Sequence, residues 1–344
     1  MKIVFLIASY VPHQLLILNT LIEKHGAVVH SFSISKKYTF IPENRSGLFT
    51  YKSPDFSRTE LLKKVIELDP DLVVVSGWMN SDYVAISKNL RSTLKVPIVS
   101  YSDTQWYGTL KQRVNAFISP WHVKKAFSHI WIAGIYQFEY ARMLGFSKEN
   151  IIFNSLSADV PLFHKAEITH KAQNYPKNFL YVGRLIPTKG LDILLKAWEN
   201  ILDKRGWTLT IVGNGPLSSV IKADKTIILK DFMKQEDLIS EMQSSGCFVL
   251  PSRKESWALV IHEAVSAGLP MICTQTCGAA AHFVIDKFNG WKVNKEDVTD
   301  LHAAMMKIMD LDSNELYTYS INSRKLSTSI TPELSAASLV QLIR

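Results

Sequence analysis

The chain has 344 residues, 47% of them apolar and 20% charged, with a formal net charge of +8. These proportions are those of a folded globular protein, and they exclude a disordered, collagen-like or coiled-coil chain. The three cysteines cannot form a paired disulfide framework, which favours a reduced, cytoplasmic setting. The length predicts two domains, each large enough to bury a core of its own.

Short apolar runs alternate with amphipathic stretches along the whole chain. The first run, residues 3–8, is too short for a signal sequence and predicts a buried strand. No run approaches the about 18 apolar residues that a membrane-spanning helix needs. Further strands are predicted at residues 28–34, 72–76, 97–101 and 130–133, and in the second half at residues 179–182, 209–212, 226–229, 247–250 and 271–273. The helical patterns between them cover residues 15–24, 60–68 and 136–144, and then 191–202, 236–242 and 259–267.

This alternation occurs twice, and a polar stretch at residues 155–177 separates the two series. Continuous apolar strands that alternate with helices are typical of parallel sheets covered by helices on both faces. We therefore predict an α/β protein of two doubly wound, Rossmann-like domains, residues 1–165 and 166–327, which face each other across a cleft. Ligands in such folds bind at the carboxyl ends of the strands.

The most informative stretch, residues 248–270, joins a buried strand to a helix through a polar loop. Glu255 lies in the loop, and Glu263 lies eight residues later in the helix. Free amides at a helix start bind phosphate. Here those amides belong to Ser256, Trp257, Ala258 and Leu259. Because a carboxylate beside phosphate is repelled, we expect both glutamates to accept hydrogen bonds from sugar hydroxyls. Alternatively, Glu255 stabilises the helix start and Glu263 is a solvated surface residue.

A basic loop follows the first strand of the second domain. Gly183 ends that strand, and Arg184 and Lys189 follow before a helix begins near Leu191. The planar guanidinium of Arg184 and the compact ammonium of Lys189 suit a diphosphate. Each of them alone is more typical of a surface cation, but their place between a strand and a helix favours a ligand site.

A glycine turn at residues 213–216 resembles a dinucleotide-binding turn only in part. It has Gly213 and Gly215 but lacks the third glycine of G-x-G-x-x-G, and Pro216 is a residue type that starts helices. We interpret it as a structural turn from strand to helix. The loop after the first strand of the chain has no glycine pair, so no dinucleotide cofactor site is predicted in the first domain.

Together these elements resemble the donor-binding domain of retaining glycosyltransferases of family 4, which have the GT-B fold and belong to the glycosyl transferases group 1. The resemblance covers residues 178–325. It includes residues 183–190 and 212–216, the pair Glu255 and Glu263, and residues 267–270, 277–280 and 289–293. The spacing of the two glutamates is specific in this context, whereas the glycine turn alone is a weak signal.

The resemblance implies a nucleoside-diphosphate sugar donor, held mainly by the second domain from Gly183 onward. Arg184 and Lys189 would neutralise the diphosphate, Glu263 would hold the ribose hydroxyls, and Glu255 would hold the transferred sugar. The amides of residues 257–259 would meet the phosphate. Such enzymes retain the anomeric configuration of the sugar, use no cofactor and need no divalent metal for the chemistry.

The first domain departs from the family pattern. Many members carry a glycine-rich turn after the first strand and a histidine after the fourth. Here the fourth strand leads to Asp103, which would occupy about the place of that histidine and contact the transferred sugar or the acceptor. Alternatively, Asp103 is a turn or helix-capping residue. His13, in the first loop, is either an acceptor contact or a surface histidine.

The charge of the first domain indicates an anionic partner. Residues 1–165 carry a net charge of +7, whereas the rest of the chain carries +1. Residues 106–127 mix aromatic side chains with cations, a pattern typical of a helix that lies on anionic lipid headgroups. An ordinary amphipathic helix with a buried aromatic face is the alternative. No nucleic-acid-binding motif accompanies the charge, so no nucleic-acid partner is predicted.

The prediction is a retaining, metal-independent hexosyltransferase, cytoplasmic or at the inner face of the cytoplasmic membrane. Its acceptor would be a saccharide, lipid-linked, that is used for a surface polysaccharide such as lipopolysaccharide, O-antigen, capsule or exopolysaccharide. Residues 328–344 would form a helix that crosses back onto the first domain. Two alternatives share this architecture and donor: a sugar-nucleotide epimerase, and a non-catalytic protein that binds sugar nucleotides or glycans.

Overall fold

The computed structural model describes residues 1–35, 42, 45–222 and 224–343. The chain forms two compact units, one of Met1–Ser157 with Pro332–Arg344 and one of Ala158–Thr331. The domain boundary predicted between residues 165 and 166 therefore lies inside the second unit.

A parallel sheet of seven strands forms the centre of the first unit. The strands are β1 (Lys2–Ile7), β2 (Val28–Ser33), β3 (Leu48–Lys52), β4 (Leu72–Ser76), β5 (Ile98–Ser102), β6 (His129–Ile132) and β7 (Ile151–Ile152). The helices are α1 (Pro12–His25), α2 (Arg58–Glu67), α3 (Ser81–Thr93), α4 (Leu110–Ile118), α5 (Val123–Ala126) and α6 (Ile135–Met143). The strand order is β3-β2-β1-β4-β5-β6-β7. The strands up to β3 are added on one side of β1 and those from β4 onward on its other side, as in a Rossmann-like sheet.

The strand β4 illustrates why this sheet forms. Its first four residues are apolar and fully buried, which requires cover on both faces. Since alternate side chains of a strand point to opposite faces, Val73 and Val75 belong to one core and Leu72 and Val74 to the other. The helices on the two faces complete these cores.

The second unit repeats this plan with a parallel sheet of six strands. The strands are β8 (Asn178–Val182), β9 (Thr208–Val212), β10 (Ile227–Lys230), β11 (Cys247–Leu250), β12 (Met271–Thr274) and β13 (Gly290–Val293). The helices are α7 (Val160–Phe163), α8 (Leu191–Glu199), α9 (Gln235–Gln243), α10 (Leu259–Ser266), α11 (Ala280–Phe283), α12 (Val298–Asp310) and α13 (Ser313–Ser327). The order is β10-β9-β8-β11-β12-β13. The carboxyl ends of the neighbours β8 and β11 therefore lie side by side.

The last helix, α14 (Pro332–Val340), belongs to the first unit. Its side chains Ala336, Leu339 and Val340 join the same core as Ile17 and Leu21 of α1. The helix is shorter than the predicted span of residues 328–344, because α13 continues to Ser327 and α14 begins only at Pro332. Residue 344, the predicted end, lies outside the described residues.

The ten strands predicted from the sequence all occur, each within one residue of its predicted ends. Three strands, β3, β7 and β13, were not predicted from the sequence. The helix predicted at residues 191–202 is shorter than expected, since α8 ends at Glu199.

Candidate active site

The predicted loop cation and the first glutamate meet at the carboxyl edge of the second sheet. Lys189 Nζ donates a hydrogen bond to Glu255 Oε2 and forms an ion pair with it. Lys189 follows β8 in the chain and Glu255 follows β11, and both side chains are largely shielded from solvent. Arg184 lies in the same loop as Lys189, and its side chain is exposed. The sheet thus joins two predicted site residues that lie 66 positions apart in the sequence.

Arg253, which the sequence analysis did not single out, holds the two loops together. Its guanidinium donates two hydrogen bonds of 2.7 Å to the two carboxylate oxygens of Asp192, at the start of α8. It also donates to Glu296 Oε1 (3.1 Å), and its backbone amide donates to the carbonyl of Thr188 (2.9 Å). The position of Lys189, the residue after Thr188, is fixed by these contacts. A guanidinium that pairs with a carboxylate through two hydrogen bonds resists rotation.

The glycine turn after β9 supports the Gly183–Arg184 backbone. The Gly213 φ is +141°, and a Cβ at this position would lie 2.0 Å from the carbonyl oxygen of Gly183. The amide of Leu185 donates a hydrogen bond to the carbonyl of Asn214 (2.9 Å), and the amide of Gly183 donates one to the carbonyl of Val212 (3.0 Å). The close approach of these two backbones explains why Gly213 stands here. The role is structural, as we interpreted it from the sequence.

The amides predicted to bind phosphate lie at and before the start of α10. The helix begins at Leu259, as predicted, so Ser256, Trp257 and Ala258 precede it. Ala258 has left-handed backbone angles, φ 73° and ψ 73°, which cost a non-glycine residue about 1 kcal/mol. The first amides of an α-helix have no partner within the helix, so those of Leu259 and Val260 can bind an anion. Trp257 has a buried side chain that packs beside His282.

Glu263 lies in α10, and only 8% of it is exposed. Gln235 Nε2, at the start of α9, donates a hydrogen bond of 2.9 Å to Glu263 Oε1. Burial raises the pKa of Glu263 from 4.5 to about 7, and the hydrogen bond from Gln235 opposes this shift. Glu263 is therefore not the solvated surface residue of our alternative interpretation. Gln235 lies 28 positions away and had no sequence signal.

Two further stretches of the resemblance support neighbouring loops. Thr274 Oγ1 donates to the carbonyl of Ser252 (2.7 Å), and the amide of Ala279 donates to the carbonyl of Trp257 (2.8 Å). Residues 277–280 thereby hold the loop that precedes α10. Farther along the chain, the side chain of Asn289 donates to the carbonyl of Phe283 (2.9 Å) and holds the turn before β13.

A pocket of about 510 Å³ lies at the carboxyl ends of β1, β4 and β5 in the first unit. Asp103 and His13, the two open candidates of the sequence analysis, both line it, together with Trp78 and Tyr140. Burial lowers the pKa of His13 from 6.5 to about 4, so this imidazole is neutral at pH 7. A pocket of this size accommodates a small ligand.

The aromatic and basic stretch at residues 106–127 divides into two parts. Phe127 is fully buried, and the half-buried Trp106 packs against Tyr140 with ring centroids 5.6 Å apart. Phe127 and Trp106 thus fit the alternative interpretation, in which the aromatic face of this stretch is buried. Phe117 and Trp121, in contrast, are largely exposed and lie 6.2 Å apart.

The described residues hold neither a candidate metal site nor a helix that could cross a membrane. Within them, no group of three or more His, Cys, Asp or Glu side chains is placed to hold a metal ion. None of the helices in that part of the chain is both long and apolar enough to cross a bilayer.

Comparison with known proteins finds a family match for part of the chain. Residues 165–325 match the family of glycosyl transferases group 1. The group 1 segment lies within the second unit and contains Lys189, Glu255, Glu263 and the start of α10.

Individual relatives match only part of the chain. A Haemophilus influenzae protein named "Uncharacterized glycosyltransferase" is 32% identical over 149 residues, which are 41% of this chain and 41% of that protein. The UDP-Gal:alpha-D-GlcNAc-diphosphoundecaprenol alpha-1,3-galactosyltransferase of Escherichia coli is 27% identical over 179 residues, which are 47% of this chain and 46% of that protein. The chain thus spans less than half the length of either relative.

Among solved structures, HepE of Anabaena in complex with UDP and glucose has the same fold over the whole chain. The TM-score is 0.74 at 16% identity, and the match covers 99% of this chain and 98% of that one. The predicted fold class is confirmed: two Rossmann-like units of parallel sheet, as in GT-B glycosyltransferases. The resemblance of the second unit to the glycosyl transferases group 1 is also confirmed. The narrower assignment to family 4 and the roles of the individual site residues stay predictions.

Proposed function

We propose that the chain is a retaining glycosyltransferase that moves a hexose-type sugar from a nucleoside-diphosphate sugar to a saccharide acceptor. The observation that carries this proposal is the ion pair between Lys189 and Glu255, beside the start of α10. It joins a cation suited to a diphosphate with a carboxylate suited to sugar hydroxyls. The family match over the same residues supports the proposal.

The donor would be held by groups on two loops of the second unit and on α10. The Lys189 ammonium has three N–H donors, of which one serves Glu255 and the others are available to phosphate oxygens. Arg184 would supply a second cation from the same loop, and the first amides of α10 would add uncharged donors. Glu263 would accept hydrogen bonds from the ribose hydroxyls, and Glu255 from the transferred sugar.

The proposed reaction exchanges one bond at the anomeric carbon for another. The bond from that carbon to the diphosphate oxygen breaks, and the oxygen of the acceptor hydroxyl forms a bond on the same face of the sugar. The hydroxyl proton passes to the departing phosphate oxygen. Negative charge grows on the diphosphate as it leaves, and prearranged cations and amides lower the barrier by stabilising it. On this proposal the chain's own cations neutralise the diphosphate, so we expect no cofactor and no loss of turnover with EDTA.

The acceptor would bind to the first unit, in the pocket lined by Asp103 and His13. Two relatives indicate the class of both substrates. The E. coli relative is named for a UDP-galactose donor and a diphosphoundecaprenol-linked acceptor, and HepE was solved with UDP and glucose. We therefore propose a lipid-linked saccharide acceptor at the inner face of the cytoplasmic membrane, in the synthesis of a surface polysaccharide.

The donor half of the proposal is tested by thermal unfolding with a panel of nucleoside diphosphates and their sugars. A nucleotide at 100-fold over its Kd adds about 2.7 kcal/mol to the free energy of unfolding, which is a clear shift in Tm. Failure of every nucleotide in the panel to shift Tm would contradict the proposal.

Substitution of the ion pair tests the roles within the site. With the donor found by the panel and lipid-linked saccharides from bacterial membranes as acceptors, Lys189→Ala and Glu255→Ala should abolish transfer while the far-UV spectrum stays unchanged. Lys222→Ala and Glu199→Ala are the matched controls, since these residues form an exposed ion pair in the same unit. Near-normal transfer by the first pair of variants would overturn the assignment.

Product analysis separates the two alternative functions. An epimerase consumes the nucleotide sugar without an acceptor and yields an isomeric sugar. A binding protein shifts its Tm with the nucleotide sugar but neither transfers nor slowly hydrolyses it.

A further inference from the structure

The helix α4 carries its apolar residues on the outside. Its one buried side chain among the described residues is polar: Gln112 donates through Nε2 to the carbonyl of Gln105 (2.6 Å) and accepts from the amide of Tyr107 (2.8 Å). Leu110 and Phe117, in contrast, are 79% and 76% exposed. A surface helix of a soluble protein has the opposite arrangement.

The exposed apolar side chains form one face. Leu110, Val114, Phe117 and Ile118 follow one another at helical spacing, and Trp121 extends the row beyond the end of the helix. We call these five residues the α4 face. Contiguous exposed apolar patches of this kind mark interaction sites.

Exposed cations accompany the α4 face. No Asp or Glu occurs between residues 104 and 138, whereas Lys111, Arg113 and Lys125 of this stretch are all exposed. Arg91 of α3 adds a further cation near Lys124, since burial and then the charge of Arg91 lower the pKa of Lys124. The combination of a bulky apolar row with flanking cations and no acid fits an anionic lipid surface.

We propose that the α4 face docks the first unit onto an anionic bilayer, with Phe117 and Trp121 reaching below the headgroups and Lys111 and Arg113 contacting lipid phosphates. A second copy of the chain is a poorer occupant. Two α4 faces brought together would oppose cations to cations, and the stretch has no acid to pair with them.

This inference deepens the proposed function and rests on it for the identity of the acceptor. The same helix lines the acceptor pocket with Lys111, Gln112 and Asn115. Because an α-helix is about 10 Å wide, docking of the α4 face brings the pocket within about that distance of the headgroups. A saccharide attached to a membrane lipid then reaches the pocket without leaving the bilayer.

Vesicle flotation of the full chain tests the docking. The probes are vesicles of phosphatidylcholine alone and of phosphatidylcholine mixed with phosphatidylglycerol. We expect the protein to float with the mixed vesicles, to lose this binding at high salt, and to bind the neutral vesicles weakly. The double variant Phe117→Ser/Trp121→Ser should lose affinity for the mixed vesicles by a factor of about ten or more. Phe232→Ser is the matched control, because Phe232 is 71% exposed in the second unit.

Several results would overturn the inference. The wild-type protein could fail to float, or it could float equally with both kinds of vesicle. The double variant could also float as well as the wild type. Light scattering measures the molar mass of both proteins and so detects self-association. If the wild type is a dimer and the double variant a monomer, the α4 face binds a second copy of the chain instead. The Tm shift with nucleotide reports on the second unit, so loss of that shift with flotation intact contradicts the proposed function and leaves the docking standing.

Discussion

His262 Nδ1 accepts a hydrogen bond of 3.0 Å from the amide of Ala158, the first residue of the second unit. The other ring nitrogen, Nε2, donates to the carbonyl of Ser327 (2.9 Å), the last residue of α13. The chain enters the second unit at Ala158, and Ser327 lies four residues before its end at Thr331. One imidazole, in the residue before Glu263, thus ties both passages of the chain to α10.

Replacement of His262 by leucine should destabilise the second unit by about 3 kcal/mol, because a buried amide and a buried carbonyl lose their partner. Burial lowers the pKa of His262 from 6.5 to about 4. Between these values the unfolded chain binds a proton that the folded protein does not, so this contribution to stability is lost as the pH falls through this range. Urea midpoints of wild type and variant should therefore converge from neutral pH to about pH 5. The exposed His170→Leu is the control, and equal midpoints at neutral pH would contradict the role of His262.

Glu263→Gln should change both stability and nucleotide binding with pH. The folded pKa of about 7 lies above the ordinary 4.5, so the carboxyl contributes fully to stability below pH 4.5 and loses that contribution as the pH rises through 7. The wild-type urea midpoint should fall over this range, and the fall should be smaller in the variant. At alkaline pH the variant should bind the nucleotide about tenfold more weakly, because an amide is a poorer acceptor for a diol than a carboxylate. A pH dependence identical to that of wild type would show that another group titrates.

Gly213→Ala should damage the donor loop. A Cβ at this position would lie 2.0 Å from the carbonyl of Gly183, so the β8 and β9 loops must separate, at a cost of about 3 kcal/mol. Gly26→Ala is the matched control, because Gly26 also has a positive φ (+61°) but open space around its Cβ position. The control should lose only about 1 kcal/mol from backbone strain. Urea unfolding and the nucleotide-induced Tm shift measure both effects, and a loss no greater than that of the control would exclude the clash.

Asp103→Asn and His13→Gln should reduce the kcat/KM for the acceptor by about tenfold or more, with the Kd for the nucleotide unchanged. Both residues line the pocket of the first unit, whereas the nucleotide is assigned to the second. Asp55→Asn, at an exposed acid of the first unit, is the control. Weaker nucleotide binding by either variant would place these residues at the donor and not at the acceptor.

The sequence predicted those parts of the fold that bury continuous apolar runs. β4 and β11 were predicted without error because every residue that faces a core is apolar. β3 was missed because it is an edge strand whose second residue, Phe49, is exposed, and β7 has only two residues. A periodicity argument needs longer and more uniform runs than these strands provide.

For the candidate site, the sequence predicted the residue types but not their partners. The pairing of Lys189 with Glu255 follows from the sheet order, which places β8 beside β11. The partners of His262 are backbone groups, which leave no trace in the side-chain sequence. Arg253 was missed because its position depends on Asp192 and Glu296, two acids that are distant in sequence.

The placement of α14 determines the order in which the two units are completed during synthesis. The first unit takes Ala336, Leu339 and Val340 into its core, and the ribosome makes these residues only after the whole of Ala158–Thr331. At about 5–20 residues per second, the apolar surface of α1 that they cover waits about 15–60 s for its partner. The second unit, although it comes later in the chain, is therefore the first to have all of its residues available for folding.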